Sequence, residues 1–84
     1  MDIVVNRSWG SFHIPKEIAE KRGLSVYYDI DRTDKELVNW ANTNTNTSSL
    51  RVFSIPDEAT DWDIWDYDGM ETIIYVVDGK IHYT

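Results

Sequence analysis

Residues 61–83, DWDIWDYDGMETIIYVVDGKIHY, decide the fold. Asp68-Gly69 and Asp78-Gly79 are each a two-residue hairpin signal, because a type I′ turn needs positive φ at both central residues and Asp-Gly tolerates it. Two such turns in succession predict a three-stranded meander. Turn geometry then fixes the register: Tyr67 faces Met70, Asp66 faces Glu71, Ile64 faces Ile73, Trp62 faces Tyr75, Val77 faces Lys80 and Val76 faces Ile81. Alternation separates two faces. One carries Trp62, Ile64, Ile73, Tyr75 and Val77; the other carries Asp63, Trp65, Tyr67, Thr72, Ile74, Val76, Ile81 and Tyr83. The first is assigned to the core, with the helices packed on it, because its cross-strand pairs Trp62/Tyr75 and Ile64/Ile73 are both apolar.

Working outward, Leu50-Arg51-Val52-Phe53-Ser54-Ile55 alternates and stops at Pro56, which predicts another strand. Leu50, Val52 and Ser54 share one of its faces and Arg51, Phe53 and Ile55 the other. Before it, Asn42 to Ser49 is a polar tract with nothing apolar to bury, the composition of a flexible exposed loop. Thr33-Asp34-Lys35-Glu36 matches a capping box, and Leu37, Trp40 and Ala41 follow at helical spacing, so a helix ending at Asn42 with that stripe buried is expected. A shorter helix is predicted from Pro15 through Arg22, with Gly23 just past its last turn. Ile3-Val4-Val5 reads as a first strand, broken by Trp9-Gly10-Ser11-Phe12. Residues 25–31 suit a short strand or an extended connection equally. The expected fold class is α+β: a small single domain, residues 1–84, of two short helices on a mainly antiparallel sheet ending in the meander.

A chain of 84 residues has room for one core. Its 42% apolar and 13% aromatic content is too high for a disordered chain. Without cysteine there is neither a disulfide framework nor a thiolate metal site, which fits a reducing cytoplasm. No apolar run approaches the roughly 20 residues needed to cross a bilayer, and the first residues lack the pattern of a signal peptide, so a cytoplasmic location is expected. The net charge of −7 is uneven: residues 1–50 hold seven acids against six bases, whereas residues 51–84 hold eight acids against Arg51 and Lys80. Such a field repels nucleic-acid phosphates, so direct nucleic-acid binding is not expected.

Exposed on the outer face, Trp65 and Tyr67 would stand among Asp61, Asp63, Asp66 and Asp68. Aromatic anchors ringed by acids have the chemistry of a protein-binding surface, since large aromatics are enriched at interface hot spots and carboxylates steer a basic partner. The same aromatics also suit the second side of a small sheet or a dimer seam. Asp66 opposite Glu71 is a repelling like-charge pair, a cost often accepted where a cation or basic partner neutralises it; without a calcium-loop spacing the two read as solvated acids. Asp29, Asp31, Asp66 and Glu71 are the only acids that suggest a metal-dependent enzyme, and no calcium-loop spacing supports it. Helix capping and a local ion pair account for the Asp29–Asp34 cluster. His13 and His82 lie far apart in sequence with no adjacent Ser or Cys to activate. No phosphate loop, dinucleotide fingerprint, nucleophile elbow or zinc spacing is present, so no catalytic residue, cofactor or metal is assigned.

The order of segments, from the N-terminal Ile-Val-Val strand with its aromatic-glycine turn, through DIDRTD and the strand running into IPD, to WDIWDYDG, resembles a group of small proteins encoded by bacteriophages and prophages. The likeness runs over nearly the whole chain. Gly10-Ser11 departs from the paired glycines of that group, and the C-terminal hairpin ending differs as well. The resemblance implies a compact accessory protein acting in the host cytoplasm by inhibiting or redirecting a host protein; it brings no catalytic residues. Three functional readings follow. The first is an acidic binding module for a protein with a basic surface, for example a nucleic-acid-handling enzyme. The second is an assembly protein that self-associates as a homodimer through the outer face or the edge strand ending at Thr84. The third is the metal-dependent enzyme.

Overall fold

The computed structural model describes residues 1–84. The chain runs β1 (Asp2–Asn6), α1 (Lys16–Arg22), α2 (Lys35–Thr43), β2 (Leu50–Ser54), β3 (Asp61–Tyr67), β4 (Met70–Val77) and β5 (Lys80–Tyr83). β1 and β2 form an antiparallel ribbon, and β3-β4-β5 an antiparallel meander. The fold is α+β. Both Asp-Gly turns have positive φ at each central residue: 52° at Asp68, 90° at Gly69, 52° at Asp78 and 73° at Gly79. The register is the one their geometry dictates, including Asp66 opposite Glu71 and Trp62 opposite Tyr75.

The layering differs from expectation. The helices do not cover the meander; the β1–β2 ribbon lies between them and it. Val4 and Leu50 on one side of the ribbon join Ile14, Ile18, Ala19, Ile30, Leu37 and Ala41 in a helical core. Ile3, Val5 and Ile55 on the other side meet Ile73, with Phe53, Trp62, Ile64 and Tyr75 packed around them. The reason is in β1 itself. Ile3, Val4 and Val5 are all fully buried, so the strand is apolar on both faces and can sit only between two layers. The two faces of β2 separate as its alternation requires, with Val52 toward the helices and Phe53 and Ile55 toward the meander.

α1 ends on Gly23 in the left-handed region (φ 66°), as the sequence indicates. α2 starts differently. Its N-cap is Asp34, whose carboxylate accepts from the Leu37 N–H (3.1 Å), and no capping box forms. Thr33 instead donates its hydroxyl to Asp31 (2.7 Å), and Glu36 reaches across to α1. Aspartate caps as well as threonine, and cations on the neighbouring helix outcompete a backbone N–H for the Glu36 carboxylate. α2 runs one residue beyond Asn42, and of its predicted stripe Leu37 and Ala41 are buried while Trp40 is half-buried and donates its indole N–H to Glu17. Residues 25–31 form no strand; the Tyr28 N–H closes a turn on the Ser25 carbonyl (3.0 Å), and Ile30 enters the helical core. The Asn/Thr tract carries no core residue, yet Arg51 ties it down, donating to the carbonyls of Ser48 (2.6 Å) and Thr45 (3.0 Å).

Candidate protein-docking face

The outer side of the meander is covered by no other element. Register and alternation bring Asp61, Asp63, Trp65 and Tyr67 of β3, Thr72, Ile74 and Val76 of β4, and Ile81 and Tyr83 of β5 to that side. Trp65 is 54% exposed, Tyr67 74%, Ile81 59% and Tyr83 60%. These are large apolar areas left in water by a chain that has buried Ile3, Leu37 and Ile73 completely. Trp65 and Tyr83 meet edge-to-face with ring centroids 6.0 Å apart, and Trp9 packs in the same manner on Tyr67 at 6.3 Å. Between Trp65, Tyr67, Met70, Thr72 and Tyr83 lies an open recess of about 610 Å³.

The acids expected around Trp65 and Tyr67 have specific structural duties. Asp61 accepts from the Trp62 N–H (2.9 Å) and Asp63 from the Ile64 N–H (2.8 Å). Both amides point away from β4, so the two carboxylates close two of the outward donors of the free β3 edge and leave it charged, a device that keeps an edge strand from pairing with foreign chains. Both remain exposed beside the aromatic face. Asp66 alternates to the inner side with Trp62 and Ile64 rather than joining Trp65, and its carboxylate accepts from the Gly69 N–H (2.6 Å) to close the turn. Asp68 holds the first turn position, and its carbonyl accepts from the Gly10 N–H (2.9 Å).

Glu71, expected to repel Asp66 in solvent, is instead buried and neutralised from a distant segment. Arg32 donates Nη1 to Oε1 (2.7 Å) and Nη2 to Oε2 (2.9 Å), and the Asn6 N–H also donates to Oε1 (2.7 Å). The Arg32 guanidinium lies over the Phe12 ring, 3.5 Å from its centroid, which fixes the fork from behind. Asn6 is buried too, and its Nδ2 donates to the Gly69 carbonyl (2.7 Å), so the network joins β1 to the first hairpin turn.

Asp29, Asp66 and Glu71 line one cleft together with Arg32, Asp31 lies outside that lining, and no three His, Asp or Glu side chains group to hold a metal ion. Asp31 is held below the usual carboxylate range by the Thr33 backbone N–H and then its hydroxyl. Asp34 is lowered mainly by Arg22, which donates both Nη groups to it at 2.9 Å. Glu36 is lowered by Lys21 and then Arg22. The Asp34 and Glu36 shifts arise at the junction between the helices, and that of Asp31 within its own loop. His13 is tilted against Tyr27 and His82 stacks on Tyr75.

Ile81, Tyr83 and Trp9 are the members of the face that the expected site omitted. Alternation already set Ile81 and Tyr83 on the outer side, whereas the approach of Trp9 depends on the docking of its loop against the Asp68-Gly69 turn. No helix is long and apolar enough to cross a membrane. No protein-family model matches the chain, and neither curated proteins nor solved structures yield a match.

Proposed function

We propose that the protein is a binding module whose outer meander face docks on a basic surface of a partner protein. The observation that carries this reading is the uncovered cluster of Trp65, Tyr67 and Tyr83, bordered by the exposed Asp61 and Asp63. Rigid aromatics on a sheet lose little conformational entropy on binding, and the net charge of −7 speeds encounter with a basic partner. The phage-like order of segments extends the proposal to an accessory role in a host cell, with a nucleic-acid-handling protein as the target whose basic groove such a face would suit.

Affinity capture from host lysate, run in parallel with the parent chain and Trp65→Ala, tests the reading. A stoichiometric basic partner is expected with the parent, reduced at least tenfold by Trp65→Ala, as loss of an interface hot spot of about 2 kcal/mol implies. Its retention should weaken as salt is raised and be less salt-sensitive in the doubly neutralised Asp61→Asn, Asp63→Asn chain, whose amide oxygens still cap the edge. Equal retention by Trp65→Ala, or salt-independent binding, would sink it.

A further inference from the structure

The two edges of the meander are treated oppositely. On β3 the outward N–H groups of Trp62 and Ile64 are closed by Asp61 and Asp63. On β5, Val77 and Lys80 flank a two-residue turn and exchange bonds, and the Thr84 N–H donates inward to the Ile73 carbonyl (3.0 Å), so alternation turns the N–H and C=O of Ile81 and Tyr83 outward. No side chain closes them. The strand carries Lys80 and His82 and no acid, so two copies of a −7 chain can approach along it without facing carboxylates on the strand itself. β2 also has an outward edge, but its Leu50 N–H is taken by Ser48 Oγ (3.0 Å) and Leu50 and Val52 already pack in the helical core. Ile81 and Tyr83 stand more than half exposed, with apolar area still to cover.

We propose that β5 pairs antiparallel with β5 of a second copy about a two-fold axis through His82, making one six-stranded sheet. In this register Ile81 exchanges both hydrogen bonds with Tyr83 of the other copy and Tyr83 with its Ile81, so all four outward groups of each strand find partners in extended backbone. A register centred on Ile81 would set Tyr83 against Gly79, whose φ of 73° is not extended. The chosen register also places a β-branched residue beside an aromatic on the outer side, twice, a favourable cross-strand pair. The outer faces of the two copies then run together into one surface. An interface of two short strands is small, so the association is concentration-dependent.

The chain has no cysteine, so a single introduced one reads the register directly. Facing His82 positions form a non-hydrogen-bonded pair with Cα atoms about 4.5 Å apart, within disulfide reach, whereas two Lys80 positions lie roughly 13 Å apart along the strands. Under mild oxidation His82→Cys is expected to give a covalent dimer and Lys80→Cys to give little. The parent mass in light scattering should rise toward two chains with concentration, and Ile81→Pro should remain one chain. Proline there removes only an outward donor, so far-UV circular dichroism and the melt confirm that the strand survives. A strictly monomeric parent, equal cross-linking from Lys80→Cys, or a folded Ile81→Pro that still dimerises would each overturn the pairing. A dimer lost in Trp65→Ala but kept in Ile81→Pro would assign association to the outer face instead.

Discussion

Gly69 and Gly79 hold the same position in two turns of the same kind, and their surroundings separate them. A Cβ on Gly79 would meet nothing within 4 Å, whereas one on Gly69 would lie 1.5 Å from the Gly10 carbonyl oxygen. Gly79→Ala therefore costs only the strain of a left-handed L-residue, about 1–2 kcal/mol. Gly69→Ala must also push the Gly10 loop off the turn, breaking the Gly10–Asp68 and Asn6–Gly69 hydrogen bonds, and should cost at least about 2 kcal/mol more. Urea denaturation of the two variants checks this; equal losses would show that the loop moves freely. The Arg32–Glu71 pair gives a second test at this scale. Removing one member by Arg32→Ala strands a buried carboxylate, at a cost of roughly 3–5 kcal/mol. An apolar double replacement, Arg32→Met with Glu71→Met, should recover most of that but leave the Asn6 N–H without its acceptor, holding the variant about 1–3 kcal/mol below the parent. The sequence already hinted at this pair: Glu71 shares a face with Ile73 and Tyr75, and an acid on a core face requires a partner. Nothing in local spacing identifies that partner as Arg32, 39 positions away.

At the scale of elements, what was legible was what is encoded within a few residues. The two Asp-Gly turns, the alternation around them and Gly23 after α1 each act locally, and each appears as expected. The start of α2 departs from the capping box because Asp34 and Glu36 each have competing partners there. Asp34 is both N-cap and ligand of Arg22, Glu36 is drawn to Lys21 and Arg22, and only tertiary placement of α1 decides between these and a capping box. This junction has a pH signature. Asp34 and Glu36 have folded-state values below the ordinary carboxylate range, so they bind fewer protons folded than unfolded. Their contribution is complete above the unfolded carboxylate values and is lost as pH falls through the lowered folded ones. Arg22 is raised in turn and stays charged throughout. Asp34→Asn keeps an acceptor for the Leu37 N–H but removes the charge, and should lower stability at neutral pH by about 0.5–1 kcal/mol. That difference should shrink toward zero as pH falls below the carboxylate range. Thermal melts of both chains across that range check it, and a deficit that persists in strong acid would assign the effect to packing.

The whole molecule is organised by β1, which neither half of the sequence announces as central. A three-residue apolar run reads as one more strand; its burial on both faces follows only once the helices and the meander each need a surface to cover. With Val4 committed to the helical core and Ile3 and Val5 to the meander core, no boundary separates two folding units. The Asn6 N–H bond to Glu71, and Arg32 bridging the Val4 carbonyl to Glu71, tie the same strand to β4. One cooperative transition is therefore expected, although the hydrophobic clusters are distinct. Ile18→Val, in the helical core, and Ile73→Val, in the meander core, should each cost about 0.5–1.5 kcal/mol and lower the melting point by several degrees. The informative readout is the indole N–H resonances of Trp40 and Trp62, which report opposite layers during a urea titration. If β1 couples the layers, both signals shift together in either variant, whichever side carries the cavity. Should Ile73→Val displace only the Trp62 transition, the meander would be an independent unit resting on the ribbon, and its outer face could open without unfolding the helices.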